Sequence, residues 1–125
     1  MTAVPPNATA VSSPRAPAQT QVTVTIAAGD FLSTVANLAS NNIVMIIMPP
    51  DWVPANLTFQ VSVDNTNFVD LYQDNMEVVQ EVDASRAVMA DRNWTQGALY
   101  VKVRSGSARS PVPQQTQCDI VLVFE

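Results

Sequence analysis

The stretch at residues 48–72, MPPDWVPANLTFQVSVDNTNFVDLY, decides the fold class of this chain. Residues 57–63, LTFQVSV, alternate apolar and polar side chains, which is the period of a half-buried β-strand. A proline-rich corner with one tryptophan precedes this strand, and the polar turn DNTN follows it. Such a corner suits either a sugar-binding loop on a sandwich domain or a structural building block, and the rest of the chain must distinguish the two.

The same period of two recurs along the chain, at residues 22–26 and 99–104. Two further runs, residues 43–48 and 120–124, are apolar on both faces. This pattern is typical of central strands or of strands whose outer face meets another subunit. The remaining predicted strands are residues 68–72, 76–82 and 86–90. About eight short strands separated by turns predict an all-β chain, either a sandwich or a barrel.

One segment has a helical alternative. Asp30 can cap a first turn, and Phe31, Val35 and Leu38 then fall on one side of a short helix. An extended loop over residues 30–40 is the other interpretation.

The first twenty residues form a separate region by composition. They contain Pro5, Pro6, Pro14, Arg15 and Pro17 among small residues, and such a composition cannot bury an apolar face. We therefore predict an extended arm over residues 1–20 that contacts a partner, followed by one β-sandwich domain over residues 21–125.

Composition excludes several classes of function. The chain of 125 residues has no histidine, which removes the commonest general base and transition-metal ligand. Its formal net charge of −5 with six basic residues argues against nucleic acid as a partner. The one cysteine, Cys118, precedes an apolar strand and is predicted to be buried. No segment resembles a secretory signal or a membrane span, so we expect synthesis in a cytoplasm and no membrane partner.

Candidate chemical sites are weak. Six carboxylates crowd the middle of the chain, but no spacing marks a hydrolytic pair, and a solvated face is the simpler interpretation: Asp64, Asp70, Asp74, Glu77, Glu81 and Asp83. Oxygens of Asp64, Asn65, Asn67 and Asp70 could meet calcium, but the spacing of an EF-hand is missing. No serine has a histidine to activate it. We predict no catalytic residue, no cofactor and no metal.

Two groups of residues remain as candidates for contacts. Trp52, Trp94 and Tyr72 would stack on sugar rings if they shared a face, whereas rings next to prolines or strands more often close a core. Lys102 and Arg104, with Arg109, surround a flexible Ser-Gly-Ser hinge. They are predicted to form a positive loop that either meets an acidic surface or serves only as a solubilising turn.

A resemblance adds to this interpretation. The order of AGDFLSTVANL, then residues 43–72, then LYVKVRSGSARSPVPQQ and a closing apolar strand resembles small virion proteins of tailed bacteriophages, among them capsid cement or decoration proteins with a jelly-roll-like sandwich. The likeness covers residues 26–124 through the pattern P-x-x-W-x-x-A-x-L-T-F-Q-x-S-x-D. It departs at Asp64-Asn65, where Asp-Gly is expected.

The resemblance implies a structural role for the corner: Pro49, Pro50 and Pro54 fix it and Trp52 plugs it. It also implies a protein of the virion that performs no chemistry. Such a protein binds the outer capsid surface as a homo-oligomer, a dimer or a trimer, and clamps neighbouring copies of the major capsid protein. The alternative is a carbohydrate-binding module on a phage head fibre or tail, and a hydrolase built on the acidic cluster is the third interpretation.

Overall fold

The computed structural model describes residues 20–125, and these residues contain β-strands and no helix. The strands alternate with short turns, as the sequence predicts. Ten strands follow one another: β1 Thr20–Ile26, β2 Ala36–Asn37, β3 Ile43–Ile47, β4 Leu57–Ser62, β5 Val69–Asp70, β6 Tyr72–Gln73, β7 Met76–Glu77, β8 Ala87–Met89, β9 Tyr100–Ser105 and β10 Cys118–Phe124.

The strands form two antiparallel four-stranded sheets and one hairpin. Sheet 1 has the order β1-β10-β3-β8, sheet 2 has the order β2-β9-β4-β5, and β6 pairs only with β7. The pairing is nested along the chain, because β1 pairs with β10, β2 with β9, β3 with β8, and β4 with β5. The predicted all-β fold and its sandwich architecture are confirmed.

The two runs that are apolar on both faces are the central strands of sheet 1, as predicted. In β10, Ile120, Leu122 and Phe124 point into the core, and the register places Leu122 opposite Ile46 of β3. Val123 faces the other way; it is only 3% exposed but is not part of the core cluster. The outer face of this strand is thus buried at Val123, half-buried at Val121 and exposed at Asp119, so its apolar sequence follows increasing burial toward the end of the strand.

The core lies between the sheets and draws on most strands. Its largest fully buried apolar side chains are Ile26, Leu38, Ile43, Ile46, Leu57, Phe59, Ile120, Leu122 and Phe124. Burial of such side chains contributes about 1.5–3 kcal/mol each relative to exposure.

The helical interpretation of residues 30–40 is wrong, and the extended alternative is correct. Leu32 makes a β-bridge to Arg104, and β2 pairs with β9. The Ser33 backbone N–H donates to the Val103 carbonyl at 2.8 Å, and the Val103 N–H donates to the Ser33 hydroxyl at 2.9 Å. Backbone bonds to sheet 2 thus replace the bonds that a helix would make within itself.

Several strand predictions were too long. The strand predicted for residues 68–72 is divided between β5 and β6, and the one predicted for residues 86–90 is limited to β8. The strand predicted for residues 57–63 ends at Ser62, and Val63, which the alternation places on the buried side, is 69% exposed. The strand predicted for residues 76–82 is limited to β7, and beyond it Gln80 makes only a single bridge to Leu57. The predicted arm, with Pro5, Pro6, Pro14, Arg15 and Pro17, lies outside the described residues, except that Thr20 already belongs to β1.

Candidate interaction surfaces

The corner predicted at residues 49–54 is closed by the buried ring of Trp52. Trp52 is 5% exposed, belongs to the core cluster, and donates its indole N–H to the Ala55 carbonyl at 3.0 Å. Pro49 is half-buried, whereas Pro50 and Pro54 are exposed. A buried indole with its N–H satisfied serves packing, so Trp52 is not available to stack on a sugar.

A buried glutamine, which the sequence did not reveal, fastens this corner. Gln114 is completely buried; its Oε1 accepts from the Val53 N–H at 2.8 Å, and its Nε2 donates to the Val53 carbonyl at 3.1 Å and to the Ser105 hydroxyl at 2.9 Å. Nearby, Cys118 is buried as predicted, and burial raises the pKa of its thiol. The PVPQQTQ segment looks like an ordinary polar loop, so no local pattern distinguishes the one buried amide.

Arg104 does not lie on an exposed positive loop, and this expectation is corrected. Its side chain is 5% exposed; Nη1 lies 2.8 Å from Asp70 Oδ1, Nη2 lies 2.6 Å from Glu77 Oε2, and Nε donates to the Thr58 hydroxyl at 3.0 Å. Glu77 also accepts the Ala108 N–H at 3.0 Å. All three nitrogens of the guanidinium are thus engaged within an internal cluster, which joins β4, β5, β7 and β9.

The other two basic residues of that segment, Lys102 and Arg109, do not form the predicted positive patch either. Lys102 is half-buried, and its Nζ lies 4.4 Å from the centroid of the Phe68 ring, a cation–π geometry. Arg109 is exposed in the loop after β9. At the start of this loop Gly106 has φ of 87°, and an added Cβ would lie 2.5 Å from the Ser110 carbonyl oxygen. Of the three predicted cations, Arg109 alone keeps the exposed position that was expected of all three.

Three carboxylates of the middle segment have arginine partners. Asp70 and Glu77 hold Arg104, and Asp83 lies 3.7 Å from Arg86. Among the described residues no three side chains of the types that bind metals come together as a candidate site. Neither a paired hydrolytic site nor a calcium loop is supported by this arrangement.

Asp64 organises the turn after β4. Its Oδ1 accepts hydrogen bonds from the Ser62 hydroxyl and from the N–H groups of Thr66 and Asn67, each at 2.9 Å, and its Oδ2 accepts from Asn67 Nδ2. These donors hold the pKa of Asp64 well below its usual range. Asn65 adopts φ of 61°, the left-handed conformation that a glycine would take, so the departure from Asp-Gly keeps the turn.

Trp94 marks the opposite situation to Trp52. It is half-buried, its ring lies 6.2 Å from the Phe59 ring, and it lines two open clefts of about 360 and 290 Å³. Exposed apolar side chains line the same clefts: Val63 and Val69 the larger, Met76 and Val79 the smaller. We call the group Val63, Val69, Met76, Val79 and Trp94 the Trp94 surface. Sequence reasoning missed its aliphatic members because alternation assigns such residues to a core.

The three aromatic residues proposed for sugar stacking do not form one platform. Trp52 is buried in the corner, Trp94 is half-buried beside the clefts, and Tyr72 is 55% exposed on the β6–β7 hairpin.

Comparison with known proteins leaves the chain to be interpreted from its own geometry. The sequence matches no protein-family model, no curated protein and no solved structure. Residues 20–125 include no helix with the length and apolar character needed to cross a membrane.

Proposed function

We propose that this chain is a non-enzymatic structural protein of a bacteriophage virion, which binds the outer capsid surface and cements or decorates neighbouring copies of the major capsid protein. The observation that carries the proposal is the nested strand pairing of the two sheets, taken together with the sequence resemblance to capsid cement and decoration proteins. Its location would be the virion, after synthesis in the host cytoplasm, with the chain acting as a dimer or trimer.

The strand order supports a jelly roll. In that fold the chain pairs like one long hairpin whose two halves are wound into two facing sheets, and the pairing of β1 with β10, β2 with β9, β3 with β8, and β4 with β5 has this form. Jelly rolls are common in viral capsid and lectin domains. This argument is one of fold analogy, so it favours a class of function and does not identify a site.

The distribution of polar side chains favours binding through surfaces over chemistry in a pocket. Asp70 and Glu77 are both engaged by Arg104, and Asp64 is engaged by its own turn. A hydrolase would need one carboxylic acid and one free carboxylate facing a substrate cleft. Exposed apolar side chains beside satisfied polar groups are instead the composition of a protein interface.

Cementing follows from mass action. A protein that binds the assembled shell and not its separate subunits stabilises the shell by the free energy of that binding. Many copies on a fixed lattice act together, and contacts of modest affinity become durable when each protein bridges two subunits. The predicted arm, with Pro5, Pro6, Pro14, Arg15 and Pro17, would extend that reach, because about twenty extended residues span at most ~70 Å.

The test is the location of the protein on particles. Purified virions of the source phage would be imaged with gold-labelled antibodies raised against residues 20–125, with tails and emptied heads imaged separately. The proposal expects a label distributed over the head surface. A label confined to the tail, or no label on intact particles, would contradict it.

One observation favours the second candidate, a carbohydrate-binding module on a head fibre or tail. Tyr72 is 55% exposed, and Trp94 lines open clefts, so two aromatic rings remain accessible even though Trp52 is not. A glycan array with the parent protein and Tyr72→Ala would decide this point. Specific binding that the substitution removes would support the module over the cement protein.

A further inference from the structure

The Trp94 surface gathers exposed apolar side chains around two neighbouring clefts. Within the described residues ten large apolar side chains are exposed, and four of them line the two clefts: Val63 at 69%, Val69 at 63%, Met76 at 72% and Val79 at 43%. Because both clefts are lined by Trp94, the indole ring is their common wall. Apolar side chains gathered in this way mark an interaction site, whereas the same residues scattered singly would need no explanation.

The electrostatic surroundings of this surface are acidic. Residues 61–85 contain six carboxylates and no lysine or arginine. Three cations contact this segment: Lys102 lies on the Phe68 ring, Arg104 is held in its buried cluster, and Arg86 lies 3.7 Å from Asp83. Asp74 lines the smaller cleft, and Asp64 follows Val63 at the larger one, both exposed. Among the described residues, neither cleft is lined by a lysine or an arginine, so the charge nearest the clefts is negative.

We propose that the Trp94 surface binds a segment of a partner protein that carries apolar side chains flanked by lysine or arginine. The two clefts accept neighbouring apolar side chains, and the acidic rim attracts the flanking cations, which raises the rate of encounter. A second copy of this chain fits poorly, since each copy has a net charge of −5. Anionic lipid is disfavoured by the same repulsion. This inference reverses the charge expected from the Lys102–Arg109 segment and does not depend on where the protein resides.

Synthetic peptides provide the test. One peptide has a core of valine, leucine and phenylalanine with two lysines at each end, and its counterpart has glutamates in place of the lysines. Binding to the full chain is followed through tryptophan fluorescence, because Trp94 lies at the clefts whereas Trp52 is 5% exposed. The lysine peptide should give a saturable change that weakens as added salt shortens the Debye length, and the change should vanish in Trp94→Phe.

Two methionines supply matched variants. Met76 is 72% exposed on the Trp94 surface, and Met89 is 73% exposed on β8 of sheet 1. Met76→Ser should weaken binding of the lysine peptide by about tenfold, whereas Met89→Ser should bind this peptide as tightly as the parent does. Thermal melting of both variants checks that folding is retained, which exposure at these positions favours.

The outcomes are decisive in either direction. Equal binding of the glutamate peptide would overturn the charge argument, and equal weakening by Met89→Ser would overturn the assignment to this surface. The absence of saturable binding by the lysine peptide, or binding only to vesicles of anionic lipid, would overturn the proposal as a whole. A selective loss in Met76→Ser together with salt-sensitive binding would support it.

Discussion

The two tryptophans of this chain occupy contrasting regions. At the Trp52 corner the ring is buried, its indole N–H is bonded to Ala55, and Gln114 satisfies the neighbouring backbone. At the Trp94 surface the ring is half-buried and lines two open clefts. The same residue type therefore closes the core at one place and borders an open surface at the other. Burial and satisfied polar atoms, more than residue identity, indicate which aromatic groups a partner can reach.

The largest expected effect tests this contrast directly. Trp52→Ala should lower the free energy of unfolding by ~3–5 kcal/mol, because it leaves a large cavity in the core. Trp94→Ala should cost clearly less, since its ring is half-buried and solvent can occupy the space. Urea denaturation of both variants at neutral pH measures the two values. Equal losses would mean that Trp94 is as much a core residue as Trp52.

The second-largest expected effect concerns Arg104, whose ion pairs support the Trp94 surface. Arg104 ties Glu77 of β7, and so the strand that carries Met76, to sheet 2. Arg104→Ala should lower the free energy of unfolding by ~3 kcal/mol, because it leaves Asp70 and Glu77 without their shared cation. Breaking a buried ion pair usually costs ~3–5 kcal/mol, and we expect the lower value because Asp70 is about a third exposed.

Arg109→Ala is the matched control for that prediction, because Arg109 is exposed and makes no ion pair within the described residues. Its unfolding free energy should stay within ~0.5 kcal/mol of the parent. If both variants unfold like the parent, the internal cluster contributes nothing, and the expectation of a loop free to meet a partner would regain support.

The contrast also shows how far sequence reasoning reaches. Alternation identified β1, β4 and β9, and runs that are apolar on both faces identified β3 and β10 at the centre of sheet 1, because these signals are local. Alternation likewise placed Arg104 on the polar side of β9. It could not show that Glu77, 27 residues earlier in the chain, covers that side and buries the guanidinium. Pairing across such separations depends on the fold as a whole.

Val63 shows a second limit of sequence reasoning, because a residue predicted to be buried is exposed. Its place in the alternating run predicts burial, yet β4 ends at Ser62. The Ser62 hydroxyl donates a hydrogen bond to the Asp64 carboxylate and accepts hydrogen bonds from the N–H groups of Asp64 and Asn65. A strand ends where side chains offer the backbone other partners, and an apolar residue just beyond that point can be exposed. Val63 was therefore predicted as core, and within the Trp94 surface only Trp94 itself was considered as a contact residue.

The smallest expected effect lies in the turn that borders this surface. The pKa of Asp64 is held well below its usual range in the folded chain, whereas the unfolded chain binds a proton near pH ~4. The charged carboxylate therefore stabilises the fold at pH values above that point, and this contribution is lost as the pH falls through the lower folded-state pKa. Relative to Asp64→Asn, the parent should hold a constant advantage between pH 5 and 7 that shrinks below about pH 4.

Urea unfolding of both proteins across this range measures the difference, and Asp74→Asn, which removes a carboxylate from another exposed turn, is the matched control. Because Asp64 also follows Val63 at the larger cleft, the same loss should loosen the rim of the Trp94 surface in acid and leave the Trp52 corner unchanged. Trp94 emission should then change before Trp52 becomes exposed. A parent advantage that does not depend on pH would mean that the hydrogen bonds to Asp64 add no stability to its charged form.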